Sequence, residues 1–304
     1  MRRWLLIIFG LALTGAGLGL FITRPQALSQ NEISAMPAGD AARGETVFWA
    51  GGCASCHATP KSEGDAHLVL AGGLELKTDF GTFVAPNISS SAKHGIGAWP
   101  IGDFASAMLK GVSPEGSHYY PAFPYGSYIR MKDQDISDLY AFMKKLPASD
   151  NVPSDNKLNF PFNIRAAVGG WKLLFLNANP RVTIDPNNAV LARGQYLVEG
   201  PGHCGECHTP RNLIGGFKSD AWLSGAPNPD GDGKIPNITS GSKDVGAWSV
   251  EEFVAYFETG FTPEFDSVGG SMVSVQKNLS KLPKADLEAI AAYLKAVPAR
   301  ENGV

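Results

Sequence analysis

Apolar residues recur at helical spacing in four short stretches, and the four form two matching pairs. Ile101, Phe104, Ala105, Met108 and Leu109 make one stripe; Val250, Phe253, Val254 and Phe257 make its counterpart. Ile136, Leu139, Tyr140 and Met143 make another, answered by Leu287, Ile290 and Leu294. Ser249 and Glu252 have the spacing of a capping box at the start of their helix. Asp133 and Asp286 sit near the starts of the last helices, where the helix dipole favours a negative charge. Strand-like alternation is nearly absent. The pattern predicts an all-α chain of short helices and long loops, and 35 Gly and 21 Pro fit the loops.

The longest apolar run lies at the N-terminus, where Arg2 and Arg3 precede 20 uncharged residues from Trp4 to Thr23 and Arg24 follows. Twenty residues at about 1.5 Å each span a bilayer core of about 30 Å. Two readings stand: an uncleaved anchor over residues 4–23, or a signal peptide cleaved near residue 28. Both keep Arg2 and Arg3 cytoplasmic and export everything after residue 30.

The matched stripes belong to a longer repeat. "ARGETVFWAGGCASCHAT" (42–59) aligns with "ARGQYLVEGPGHCGECHTP" (192–210), and "APNISSSAKHGIGAW" (85–99) aligns with "IPNITSGSKDVGAW" (235–248). The copies end in "DLYAFMKKLPA" (138–148) and "AIAAYLKAVPA" (289–299). A duplicated domain follows, with copies at 37–148 and 191–304 behind an N-terminal segment of residues 1–30. The proline-containing stretch 149–190 joins them, and its "FPFNIRAAVGGWKLLFLNANP" is apolar enough to pack between the copies.

All four cysteines fall in the repeat, as Cys53 and Cys56 before His57 and as Cys204 and Cys207 before His208. A redox dithiol needs no following His, and a zinc site needs a fourth ligand at a compatible spacing. Covalent haem uses all three residues. Two thioethers fix the macrocycle edge, and the adjacent imidazole turns under the ring to bind iron. Two such motifs on an exported chain with no spare cysteine predict two covalently bound haem c groups, with His57 and His208 as axial ligands.

With these motifs the chain resembles a dihaem cytochrome c, which implies two tandem class I cytochrome c domains behind an N-terminal hydrophobic helix. "YYPAFPYGSYI", "FPFNIRAAVGGWKLLF" and "VGGSMVSVQKNLSKLP" further resemble the cytochrome c subunits of membrane-bound alcohol and sugar dehydrogenases. That resemblance implies a dehydrogenase as electron donor, and an oxidase or a soluble cytochrome or cupredoxin as acceptor. It also implies a location on the periplasmic side of the bacterial inner membrane.

The sixth ligand decides whether such an iron carries electrons or reacts, and a distal Met suits transfer and raises the potential. Met272 lies in a loop before the final helix and is the candidate for the second iron. In the first copy Met108 and Met143 lie on core stripes. Met131, in "SYIRMKDQD", is the candidate there, with His118 or an open site as alternatives. Aligning the terminal helices sets Met272 opposite "PAFPY", and related dehydrogenase cytochromes often have Met where this chain has Phe123. Pro86 and Pro236, each before Asn-Ile, are either turn prolines or carbonyl partners for the two haem histidines. Trp99 and Trp248 either pack in the core or reach a haem edge. His203 is held on the attachment side of its motif, and His67 and His94 read as solvated loop residues.

Charge excludes one class of partner. Lys and Arg number 26 against 29 Asp and Glu, and without Arg2, Arg3 and Arg24 the balance is −6, so no nucleic-acid partner is expected. "DGDGK" (230–234) lacks the Glu that would close a calcium loop. The expected function is electron transfer. The rival is a dihaem enzyme of peroxidase or thiosulfate dehydrogenase type, with one open or unusually ligated iron.

Overall fold

The computed structural model describes residues 2–228 and 233–303, with the side chains of residues 2 and 12 excepted. Asp230 and Asp232 of the rejected calcium loop lie outside the described residues. The N-terminal run forms α1 (Arg2–Ile22), and α2 (Gln30–Ser34) leads from it into the first half of the molecule. That half contains α3 (Ala41–Ala50), α4 (Cys53–His57), α5 (Ile101–Lys110), α6 (Tyr125–Tyr128) and α7 (Asp133–Met143). Next, α8 (Ala167–Phe175) occupies the connecting stretch. The second half contains α9 (Ala189–Glu199), α10 (Gly205–His208), α11 (Val250–Thr259), α12 (Met272–Leu279) and α13 (Lys284–Ala296). The four predicted stripes thus fall on α5, α7, α11 and α13. Ser249 and Glu252 make the capping box at the start of α11.

The all-α expectation needs a correction. Small antiparallel sheets join β1 (Glu75–Thr78), β2 (Gly81–Val84) and β3 (Lys157–Leu158), and separately β4 (Ala226–Pro227) and β5 (Lys234–Ile235). Strands of two to four residues are too short to show alternation, and their partners are set by the loops around them.

Each half has its own core. In the first, Phe48 of α3 meets Phe104 and Ala105 of α5 and Ile136, Leu139 and Met143 of α7. In the second, Leu197 and Val198 of α9 meet Phe253 and Phe257 of α11 and Leu287, Ile290 and Leu294 of α13. The first and last helices of each half pass so closely that neither crossing has room for a side chain. A Cβ on Gly44 would lie 1.9 Å from the carbonyl oxygen of Asp138, and one on Gly194 would lie 1.9 Å from that of Ala289.

An ion pair clamps each crossing. Arg43 donates through Nε and Nη2 to Asp138, at 2.7 and 2.8 Å, and Arg193 donates to both oxygens of Asp286 at 2.8 Å. The Asp138 side chain is 1% exposed. Burial pushes its carboxyl up, but hydrogen bonds from Arg43, the Asp40 amide and Gln134 outweigh this and hold it below the usual range. A depressed carboxylate stabilises the fold above its unfolded value of about 3.9 and loses that contribution as pH falls through the lowered one. Asp138→Asn should therefore cost about 2 kcal/mol near neutral pH, with the gap to the parent narrowing on acidification. Urea unfolding at several pH values measures this, and a gap constant with pH would contradict it.

Trp248 is buried against Phe253 in the second core, and Trp99 packs at the edge of the first. Their backbone carbonyls accept from Lys295 Nζ and Tyr140 Oη, so both act as anchors for the last helices.

Candidate cofactor-attachment centres

The first motif begins where α3 stops. Gly51 caps α3, and Gly52 turns into the left-handed region at φ 58° so that α4 can start at once with Cys53. Within one turn of α4, Cys53 and Cys56 stand three residues apart on a common face and His57 ends the turn. The second motif is made the same way. His203 has φ 39°, Cys204 caps α10, and Cys207 and His208 end it.

Both imidazoles are then fixed from the other side. His57 Nδ1 donates to the carbonyl of Pro86 at 2.9 Å, and His208 Nδ1 donates to that of Pro236 at 2.8 Å. A carbonyl can only accept, so in the neutral ring the proton sits on Nδ1 and Nε2 keeps a lone pair for a metal. Burial lowers both histidines from their ordinary value, which also favours the neutral, ligating form. The residue after each proline does further work that sequence reasoning missed. Asn87 Nδ2 donates to the carbonyls of Ser149 and Asn151, and Asn237 Nδ2 donates to that of Arg300. Each proline-asparagine pair thus ties its histidine to the chain leaving the last helix of its half. The matched "PNI" triplets were the available signal.

The surroundings of three of the thiols do not favour a redox pair. Burial pushes Cys53 and Cys204 up to about 12 and raises Cys56 as well, whereas a working dithiol relies on a lowered value. Among the described residues, no three or more His, Cys, Asp or Glu side chains converge as a metal site. That counts against zinc, which needs its sulfurs to converge on the ion. Haem does not, because its thioethers form at the ring edge. The donor set therefore fits covalent haem: two thiols one turn apart, and an imidazole with its Nε2 lone pair free.

The two candidate distal ligands lie in the cores that hold these motifs. Met131 is 6% exposed and packs in the first core with Cys53, Ala54 and Ala58. Met272, expected in a loop, instead opens the short helix α12, half-buried against the second core, to which Cys204 also belongs. Met108 and Met143 are core residues of α5 and α7. His118 is placed elsewhere, with Nε2 donating to the carbonyl of Thr23 at the exit of α1.

The two motifs, 151 residues apart in the chain, meet in space. His203 Nε2 donates to the Gly51 carbonyl at 3.2 Å, and Asn278 Nδ2 donates to Ser55 Oγ at 2.7 Å. Ser127 Oγ donates to Glu206 at 3.0 Å, and the Tyr128 ring stands edge-on to His203 with centroids 5.7 Å apart. Beside them Arg130 and Glu199, both buried, pair at 3.8 Å across the junction.

A family model described as cytochrome c matches residues 41–147. Over 302 residues the chain is 52% identical to a diheme cytochrome c-type protein of Cereibacter sphaeroides, covering 99% of this chain and 100% of that one. It is 37% identical to the fructose dehydrogenase cytochrome subunit of Gluconobacter japonicus, over 86% of this chain and 53% of that subunit. The cytochrome c subunit of the quinone alcohol dehydrogenase of Gluconobacter oxydans is 34% identical, over 86% of this chain and 55% of that subunit. The chain thus spans about half the length of these two dehydrogenase subunits.

Proposed function

Because the chain belongs to the dihaem c-type cytochromes and its cofactor is covalent haem c, we propose that it is an electron carrier built as two tandem class I cytochrome c domains. One haem is attached at Cys53 and Cys56 with His57 on its iron, the other at Cys204 and Cys207 with His208. Met131 and Met272 are the distal ligands in this reading. Haem supplies the one-electron chemistry. The chain's part is to hold each imidazole in the ligating tautomer through Pro86 or Pro236 and to keep the two centres at a set separation. Electrons come from a dehydrogenase, as the names of the relatives suggest, and pass to an oxidase or a soluble carrier.

The contact between the attachment loops carries this reading. His203 bonds one motif directly to Gly51 beside the other, and the bonds Asn278 to Ser55 and Ser127 to Glu206 tie each motif to the opposite half, an arrangement suited to moving charge between two centres. A catalytic reading needs one iron left open, and each core contains a candidate methionine. The spectrum of the oxidised protein tests the choice. Two low-spin centres with His and Met ligation are expected, whereas a high-spin component that takes up peroxide would make it an enzyme.

Retention of α1 as an anchor on the periplasmic side belongs to the same proposal. The body has a seat for the end of that helix. His118 holds the Thr23 carbonyl at 2.9 Å, and a Cβ on Gly169 would stand 2.2 Å from the same oxygen. Cleavage near residue 28 would leave that seat without its occupant. Mass measurement of the membrane-purified chain is expected to find the N-terminal segment intact.

A further inference from the structure

The segment that seats the end of α1 exposes several large apolar side chains. Phe160 is 80% exposed, Leu173 69% and Leu174 67%, and Phe162 and Ile164 are exposed beside them. The segment has internal supports. Phe162 stands edge-on to Phe80 with centroids 4.8 Å apart, Trp171 packs on Phe175 at 5.4 Å, and Val168 is buried. These apolar side chains therefore face outward from a braced segment. Single exposed apolar residues are ordinary, but five within residues 160–174 of one braced segment mark an interaction surface.

We propose that this face lies against the lipid bilayer, with Phe160, Leu173 and Leu174 sunk into the boundary between headgroups and acyl chains. The inference rests on α1 being a retained anchor. Three observations favour lipid over a protein partner. The first is continuity: Thr23 follows the last residue of α1 and touches Gly169 of α8, so the start of α8 is held where the span leaves the membrane. The second is charge. The segments that carry this face, residues 20–28 and 159–177, bring Arg24 and Arg165 to it and no acid of their own, and Glu206, which lines a cavity with Leu174, is paired with Arg211, as suits a surface of lipid phosphates. The third is a cavity of about 280 Å³ at the junction, lined by Leu20, Thr23, Arg24, His118, Arg165 and Ala166. It sets two guanidinium groups beside the last turn of the span, at headgroup level. Lys172 takes no part, since its ammonium turns inward to the carbonyls of Lys110 and Gly111. The consequence is orientation: the haem-bearing body is held flat to the membrane at two places instead of hanging from one helix.

Spin labels test this on the full chain in lipid nanodiscs. With all four native cysteines bonded to haem, Phe160→Cys, Leu173→Cys and Glu288→Cys each offer one reactive thiol, and all three sites are exposed, so folding is undisturbed. Labels at 160 and 173 should collide more often with dissolved oxygen than with a water-soluble nickel chelate, and the label at 288 should do the reverse. Labels at 160 and 173 as chelate-accessible as 288 would overturn the proposal. Water exposure in nanodiscs with shielding only in native membranes would overturn it too and assign the face to a protein. Mass spectrometry of the same samples separates the premises: a chain lacking residues 1–27 sinks the anchor, and an intact chain with exposed labels sinks only the lipid contact.

Discussion

Gly44→Ala and Gly194→Ala are each expected to lower the unfolding midpoint by on the order of 10 °C or more, and to disturb the haem ligation of the half concerned first. Helix propensity predicts the opposite sign, since Ala in a helix is favoured over Gly by up to about 1 kcal/mol. Sterics decide. The added methyl of Gly44→Ala would meet the Asp138 oxygen at 1.9 Å, its carbon at 2.5 Å and Phe142 Cβ at 2.9 Å. That of Gly194→Ala would meet the Ala289 oxygen at 1.9 Å and Tyr293 Cβ at 2.7 Å. Carbon atoms rest at about 3.5–4.0 Å, and the obstacle here is backbone, which cannot swing aside. The helices must separate, breaking the Arg43–Asp138 or Arg193–Asp286 clamp and opening the core beneath. Overpacking typically costs about 1–3 kcal/mol, and a clash with backbone this close falls at the upper end, a large part of a total stability of about 5–15 kcal/mol. For a unit of this size each kcal/mol moves the midpoint by about 4–8 °C. Thermal unfolding followed at the haem absorbance measures it, and a midpoint unchanged or raised would show that the crossings have slack.

Removing a distal sulfur should change one centre and spare the other. Met272→Leu is expected to turn about half of the haem signal from low to high spin and to lower the potential of that centre, because a thioether ligand raises it. Leucine is chosen because a volume-conserving swap costs under about 1.5 kcal/mol, so a spectral change reports ligation and not collapse. Met131→Leu is the sharper case. Met131 stands two residues before α7, and Leu282 stands two residues before α13 and is 7% exposed in the second core. By register, then, Met131 occupies the place of a core leucine. As a ligand it must reach the first iron from a position that the second half fills with hydrocarbon. Conversion of the other half of the signal is expected on Met131→Leu. An unchanged spectrum with unchanged stability would reduce Met131 to packing and leave the first iron to another group.

Much of this architecture was legible in the chain because it is local and occurs twice. Helical stripes record which side of α5, α7, α11 and α13 is buried, and a stripe needs only neighbours three and four residues away. The haem motifs are equally local: Cys, Cys and His within one turn arrive in the right relation as soon as that turn forms. Pro86 and Pro236 could be named as carbonyl partners because the repeat set them at matching distances from the two histidines. The short strands escaped because no window of two to four residues has a period. The tie from Asn87 to Ser149 escaped because nothing in its own segment specifies a partner 62 residues away.

By itself the sequence determined a twofold repeat of short helices, two cysteine-cysteine-histidine turns and an apolar N-terminal span, since each is written in residues within a few positions of one another. Only the tertiary structure decided that the two turns meet through His203 and Gly51, that Thr23 has a seat beside His118 and Gly169, and that Leu173 and Leu174 of α8 point outward. Those outcomes depend on how helices cross and which loops are left facing one another. They are fixed by packing across the whole chain, which no short window contains.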